Sequence, residues 1–140
     1  MDKKEEKLIA ALKSFVIRSI DCSQDLIDDL REGTSLDMRA RVVNRANKNL
    51  EKLQDWLKKA TKESRSVRRR LSGDSLDLFN NIYVQCQNLS DMADHLKIPR
   101  NGDPDRENEA DKVIKVLKDI IGTCGVIIKA LDNFSKKTES

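Results

Sequence analysis

The sequence predicts an all-α fold, an antiparallel four-helix bundle in which successive helices run up, down, up and down. Four segments place apolar residues at alternating spacings of three and four, which is typical of amphipathic helices. The 140 residues include only five glycines and two prolines, too few turn formers for a fold of many short strands. Turn-forming clusters separate the segments, and such short connections favour antiparallel neighbours. The alternative is a three-helix core with a swapped or dimerised fourth helix.

The composition predicts one domain that spans residues 1–140. With 36% charged residues, the chain is more highly charged than most globular domains, but 27 basic residues nearly balance 24 acidic ones. Because the charges nearly cancel and the apolar residues are regularly spaced, we expect a folded chain and not a disordered one.

The first helix is predicted over about residues 3–31. Its apolar stripe consists of Leu8, Leu12, Phe15, Ser19, Cys22 and Leu26, and is widened by Ile9, Val16 and Leu30. Gly33 suits the left-handed position that commonly ends a helix, and Thr34 or Ser35 is suited to cap the next helix. A short turn between two helices is therefore expected here.

The second helix is predicted over about residues 36–71. Its stripe consists of Leu36, Val43, Ala46, Leu50, Leu53, Leu57 and Ala60, and continues through Ser64, Val67 and Leu71. Arg39 is the one interruption of this nearly heptad spacing. The pattern predicts a long helix that buries one face against its neighbours.

The third helix is predicted over about residues 75–96, after a turn cluster that begins at Ser72 and contains Gly73. Its stripe consists of Phe79, Ile82, Cys86, Leu89, Ala93 and Leu96. The same spacing of three and four predicts that this helix also buries one face.

The fourth helix is predicted over about residues 104–134, with Asp103 as its N-cap and Pro104 at its first position. Its stripe consists of Ala110, Val113, Leu117, Ile120, Cys124, Ile127, Leu131 and Phe134, and is widened by Ile114, Ile121 and Ile128. Three apolar positions in seven suit the interior of a bundle. Residues 135–140 are expected to form a solvated tail.

The cysteines and the apolar runs predict a cytoplasmic protein, with the nucleus as the alternative location. Cys22, Cys86 and Cys124 are odd in number, far apart and on core stripes, so we expect buried free thiols in a reducing compartment. Residues 1–7 carry acids and lead into an amphipathic stretch, which is not the pattern of a signal peptide. The longest nearly apolar run, 120–128, is too short for a membrane span.

Catalytic chemistry is not indicated, and we expect no enzyme, no cofactor and no metal. His95 is the only histidine, and next to Asp94 near a helix end it is expected to be exposed or to cap the helix. Zinc and di-iron sites need several converging ligands, which one histidine and three scattered cysteines do not provide. Acids such as Asp25, Asp28 and Asp29 are expected to belong to a solvated face.

The sharpest charge feature lies in residues 58–70, with seven basic residues and one acid in thirteen positions. The basic residues are Lys58, Lys59, Lys62, Arg65, Arg68, Arg69 and Arg70. The helical register turns most of them away from the core, and this end of the bundle also receives lysines from the first and fourth helices. The feature suits binding of phosphates or of an acidic partner, whereas the alternative is a solvated helix end favoured by the helix dipole.

The aromatic residues do not indicate base stacking. Phe15, Phe79 and Phe134 lie on the predicted core stripes, and Trp56 is expected to cover the edge of the core beside Leu57. Binding of single-stranded nucleic acid by stacking needs exposed rings. The basic residues of 58–70 are therefore not accompanied by the exposed aromatic rings that would indicate binding of single-stranded nucleic acid.

A second candidate surface is apolar. Ile17 and Ile20 lie off the first helix's stripe, and Gly122, Gly125 and Val126 fall on the outer side of the fourth helix. Glycine inside a helix costs about 1 kcal/mol against alanine, so an outward pair suggests close approach of another helix. The five residues are predicted to form one exposed patch, unless the first helix tilts or the fourth helix bends.

A modification site is predicted at Ser72. The residues Arg69-Arg70-Leu71-Ser72 match the substrate pattern of basic-directed protein kinases such as protein kinase A. Phosphorylation would place negative charge beside the arginines and weaken the positive potential of this end.

These features favour a non-enzymatic helical interaction module, an adaptor or regulator. It would bind a partner helix or an acidic partner on its outer surface. The alternative is binding of nucleic acid or an anionic membrane through the basic residues of the second helix. A protein partner is expected, no transmembrane segment is predicted, and assembly of several copies stays open.

Overall fold

A computed structural model describes residues 1–32, 40–99 and 105–138. These residues form four α-helices, α1 (Lys3–Glu32), α2 (Ala40–Arg70), α3 (Gly73–Asp94) and α4 (Arg106–Thr138), and within the three ranges there is no strand. The predicted all-α class is confirmed.

The helix ends differ most from the predicted ones in α3 and α4. α3 begins at Gly73 and ends at Asp94, in each case two residues before the predicted position, and its glycine takes a positive φ of 59° at the tight turn from α2. α4 continues to Thr138, so the predicted tail from residue 135 is wrong for residues 135–138. The Thr138 hydroxyl donates to the Phe134 carbonyl at 2.8 Å, which holds the last turn. The predicted signals at Gly33, Thr34, Ser35, Asp103 and Pro104 lie outside the described residues.

Each helix packs against two others. α1 contacts α2 and α4, and α3 also contacts α2 and α4, whereas the described parts of α1 and α3 do not meet and neither do those of α2 and α4. Three of the contacting pairs join α1, or the residue just before it, to α2 and three join α2 to α3, and in both cases they run in opposite directions along the two helices; one further pair joins α4 to α1 and one joins it to α3. The pairs are Asp2 with Arg70, Phe15 with Trp56, Asp29 with Arg45, Gln54 with Ala93, Thr61 with Cys86, Arg68 with Asn80, Lys13 with Asp132 and Phe79 with Phe134.

The predicted stripes form one apolar core, with local shifts of register. Val42 is buried and Val43 is half-buried, although the spacing predicted the reverse. Phe15 and Cys22 are also only half-buried, and Phe15 stacks on Trp56 at the α1–α2 boundary with 5.7 Å between ring centroids. The cause is helical geometry, since 3.6 residues a turn drift away from a strict seven-residue repeat along a helix this long.

Asp29 corrects one expectation about the acidic residues. It is 6% exposed, not solvated, and it ties the end of α1 to the start of α2. Arg45 Nε donates to its Oδ1 and Asn49 Nδ2 donates to its Oδ2, each at 2.6 Å. Together with Glu32, Asp29 raises the pKa of the Arg45 guanidinium above its usual value through these hydrogen bonds. The burial of Asp29 was not predicted because its partners lie on α2, and the spacing of residues along α1 does not reveal them.

No helix in the described ranges has a stretch long and apolar enough to cross a membrane.

Candidate functional site

The structure divides the seven basic residues of the α2 end into two groups. Three are held by contacts within the chain, and their ion pairs measure 3.0 Å at Lys59 and 3.3 Å at Arg70. The contacts are Lys59 with Asp55 and the Trp56 ring, Arg68 with Asn80 and the Tyr83 ring, and Arg70 with Asp2. These three side chains are therefore already partly neutralised or positioned.

The other four, Lys58, Lys62, Arg65 and Arg69, are exposed and have no carboxylate within ion-pair distance among the described residues. Their spacing of four, three and four residues places them on one side of α2. They line a groove of about 400 Å³ between α2 and α3. We call it the basic groove, and its lining residues are Lys58, Thr61, Lys62, Arg65, Ser66, Arg69 and Ser90.

The hydroxyl groups of the basic groove are not equally available. Thr61 lies buried at its floor and its hydroxyl contacts the carbonyls of Leu57 and Cys86, at 2.9 and 3.3 Å. The Ser66 hydroxyl donates to the Lys62 carbonyl at 3.2 Å. Ser90, on the α3 wall, has no hydrogen-bond partner within the part of the chain that the structure describes, so its hydroxyl is free to bind a ligand.

A smaller depression of about 230 Å³ shares Arg65 and Arg69 with the basic groove. Its other lining residues are Arg68, Leu76 and Tyr83. Tyr83 is held in place because its hydroxyl accepts a hydrogen bond from Gln87 Nε2 at 2.7 Å and its ring lies under Arg68. The guanidinium groups of Arg65 and Arg69 therefore line both the basic groove and a recess in which Leu76 and the Tyr83 ring provide apolar surface beside Arg68.

α3 carries carboxylates and no basic residue beside the four free cations. Its only charged residues are Asp74, Asp77, Asp91 and Asp94, all exposed. Asp77 and Asp91 lie on the outer face of α3, where the residues between them at helical spacing are uncharged. α3 therefore adds negative charge, and no positive charge, to its side of the groove.

The fold brings the serine predicted as a modification site beside the basic end. Ser72 is the exposed N-cap of α3, with extended backbone angles of −146° and 162°, and its side chain makes no capping hydrogen bond. The preceding Arg69 and Arg70 are still helical. A kinase that reads an extended substrate would therefore have to unwind the last turn of α2, including the Arg70 contact with Asp2. Phosphorylation of Ser72 stays a prediction.

The apolar candidate residues lie on two sides of α4. Ile17 is 42% exposed and, with the half-buried Ile20, follows Lys13 on the α1 face that meets α4. Gly122 and Val126 instead border a shallow depression of about 570 Å³ that also includes Gln85 of α3. Gly125 is half-buried, at a position between these two groups. Each residue step turns a helix by about 100°. Gly125 therefore points in a different direction from Gly122 and Val126, although the heptad assignment placed all three on the outer side of α4.

We expect alanine at Gly122 or Gly125 to stabilise the protein. A Cβ built at either glycine meets no atom within 4 Å, and both residues lie inside a regular helix. Each substitution should raise the free energy of unfolding by about 1 kcal/mol, because alanine loses less backbone entropy than glycine. Urea denaturation measures the change.

Gly73→Ala serves as the control for the two glycines of α4. Its space is also open, but its φ of 59° strains any residue with a Cβ, so we expect destabilisation there. Loss of stability in Gly122→Ala would contradict the open outer face that the structure gives to α4.

The buried cysteines are poor candidates for catalysis. Burial raises the pKa of the Cys86 and Cys124 thiols to about 12, and that of the half-buried Cys22 also rises because of burial and the nearby Asp25. A thiol reacts as its thiolate, which is scarce at neutral pH for such groups. His95 is exposed at the C-terminal cap of α3, as the sequence predicts.

Comparison of the chain with known protein families, with curated proteins and with solved structures finds no match in any of the three. The basic groove itself must therefore support the functional argument. The sequence predicted its four cations but not Ser90 of the groove, nor Leu76 and Tyr83 of the adjoining recess, which all lie on α3. The one sequence feature that bears on this side of the groove is the absence of Lys and Arg from residues 73–94.

Proposed function

We propose that the protein is a non-enzymatic interaction module, an adaptor or regulator, that binds an acidic segment of a partner protein in the basic groove. The observation that carries this proposal is the row of four exposed, unpaired cations along one side of α2. From Lys58 to Arg69 the row is about 17 Å long at 1.5 Å per residue. An acidic helix of about three turns, or an extended acidic segment of about five residues, matches this length.

The repulsion within the row supports a ligand. Lys58 and Lys62 are four residues apart, and so are Arg65 and Arg69, and like charges at this spacing destabilise a helix by roughly 0.2 to 0.5 kcal/mol per pair. Within the described ranges no carboxylate pairs with these four cations to offset that cost. Carboxylates of a partner would remove the repulsion on binding and would gain attraction to each cation.

The carboxylates of α3 favour a protein segment over the alternative ligands, a nucleic acid duplex or an anionic membrane. Both alternatives present a wide negative surface. A wide surface laid across α2 and α3 would meet the exposed Asp77 and Asp91 on the outer face of α3, which repel it. A single acidic segment lying along α2 meets fewer of these carboxylates.

Two further features support a binding role within a reducing compartment. The three cysteines are free, and the two buried thiols have a pKa of about 12, which suits structural and not nucleophilic roles. We therefore propose a cytoplasmic module, with the nucleus as the alternative location.

The ligand class is tested with three fluorescent probes, a degenerate peptide library rich in Asp and Glu, a DNA duplex, and vesicles that contain phosphatidylserine. We expect the purified chain to bind the peptides most tightly at about 150 mM salt, with affinity that rises as the salt is lowered. A charge-matched library rich in Lys and Arg is the control and should not bind. Tighter binding of the duplex or the vesicles, or no binding of the acidic library, would overturn the proposal.

A further inference from the structure

We infer that the anionic group selected by the basic groove is a phosphoryl group on a serine or threonine of the partner segment. The inference rests on the proposed function and names the chemistry that its acidic partner presents. It depends on the number and geometry of the donors that the groove brings together.

Two arginines at the shared edge of the groove and the recess are the first reason. Arg65 and Arg69 are one helical turn apart, both are exposed, and both lack a carboxylate partner in the described ranges. Each guanidinium offers a planar fork of N–H donors. One fork uses both oxygens of a carboxylate, whereas the three terminal oxygens of a phosphoryl group can accept from two forks at once.

The charge around the two arginines is the second reason. A phosphoserine carries a charge of about −1.5 to −2 near neutral pH, concentrated on one group, whereas a carboxylate carries a single charge. Lys62 lies about one turn from Arg65 and adds a third cation, and the groove lining contains no carboxylate. Lys58 and the free hydroxyl of Ser90 lie at the other end of the groove, because Thr61 meets Cys86 and Gln54 meets Ala93, so they can bind a second polar group of the same segment.

The recess beside the two arginines indicates what accompanies the phosphoryl group. Leu76 and Tyr83 line it together with Arg65, Arg68 and Arg69, and Tyr83 is fixed by Gln87 and Arg68. An apolar side chain next to the phosphorylated residue would bury its surface there. The structure thus favours a phosphorylated protein segment with an apolar neighbour over a free phosphate ion, which would leave the recess unused.

The test compares three immobilised peptide libraries that are degenerate except at the central position, which is phosphoserine, serine or glutamate. Purified chain is bound to each, with inorganic phosphate as a competitor in a separate arm. The variant Arg65→Lys with Arg69→Lys keeps the charge and removes both forks. The control variant, Arg18→Lys with Arg41→Lys, makes the same change at two exposed arginines outside the groove.

We expect the phosphoserine library to bind at least about tenfold more tightly than the glutamate library, a difference of about 1.4 kcal/mol. The lysine variant should lower this ratio but leave it above one, because it removes both forks and keeps the charge that favours a phosphoryl group, and the control variant should retain the ratio. Equal binding of phosphoserine and glutamate, or a ratio unchanged in the lysine variant, overturns the inference but leaves the proposed function standing. Failure of both anionic libraries overturns both. Competition by inorganic phosphate at the affinity of the peptide identifies a free anion as the ligand and overturns the inference.

Discussion

Reversing the charges of Lys62, Arg65 and Arg69 to glutamate is expected to lower the affinity for an acidic peptide by about 100-fold or more. The three residues lie in the row of unpaired cations, so the triple variant replaces attraction with repulsion at each position. The fold should be retained, because all three side chains are exposed and glutamate is a good helix former. Fluorescence anisotropy with a labelled peptide measures the affinity, and circular dichroism checks the helix content.

The matched control reverses Arg41, Lys48 and Lys52, which are exposed on the first half of the same helix. Its net charge changes by the same amount, so a difference between the two variants reports the position of the charges and not their number. We expect a change of less than about fivefold, since at physiological salt these charges lie more than a Debye length from much of the groove. Equal losses in the two variants would show that only net charge matters and that the basic groove is not a site.

Truncating Phe79 to alanine is expected to lower the free energy of unfolding by about 3 to 5 kcal/mol. Phe79 is fully buried in α3, and its ring meets the edge of Phe134 of α4 with 5.5 Å between ring centroids. Among the described contacts between helices, those joining α3 and α4 are the least extensive. Loss of this ring leaves a cavity at the interface least able to compensate for it. Urea denaturation followed by circular dichroism measures the change.

Val84→Ala is the control for this truncation, because Val84 lies on α3 but is 48% exposed. Its effect should stay within about 0.5 kcal/mol. A small effect at Phe79 together with a normal one at Val84 would mean that α3 packs against α4 through other residues than the structure shows.

The sequence predicts the fold well because burial leaves a periodic signal. The stripe from Ala110 to Phe134 repeats without a miss, and most of its members lie in the core as predicted. The signal fails where the outcome depends on a single residue step, a rotation of about 100°. Val42 and Val43 are equally apolar neighbours, so the spacing within α2 does not decide which of them is buried.

The site was only partly predictable because pairing depends on other helices. The seven basic residues of the α2 end look alike in the sequence, yet Asp2, Asn80 and Asp55 engage three of them and leave four free. Two of those partners lie outside α2: Asp2 just before α1, and Asn80 on α3. The periodicity of α2 predicts the direction in which each of its side chains points, but not which residues of other helices lie opposite. The groove and the α3 residues that line it could therefore not be predicted from the sequence.

The most direct test of the basic groove is a backbone NMR titration of the intact chain with the acidic peptide. We expect the amide resonances that shift to lie in two stretches, from Lys58 to Arg69 on α2 and from Tyr83 to Ser90 on α3. Amides around Ile17, Gly125 and Val126 should stay in place. Shifts centred on those three residues, with α2 unchanged, would contradict the account and assign binding to the apolar outer surface of α1 and α4.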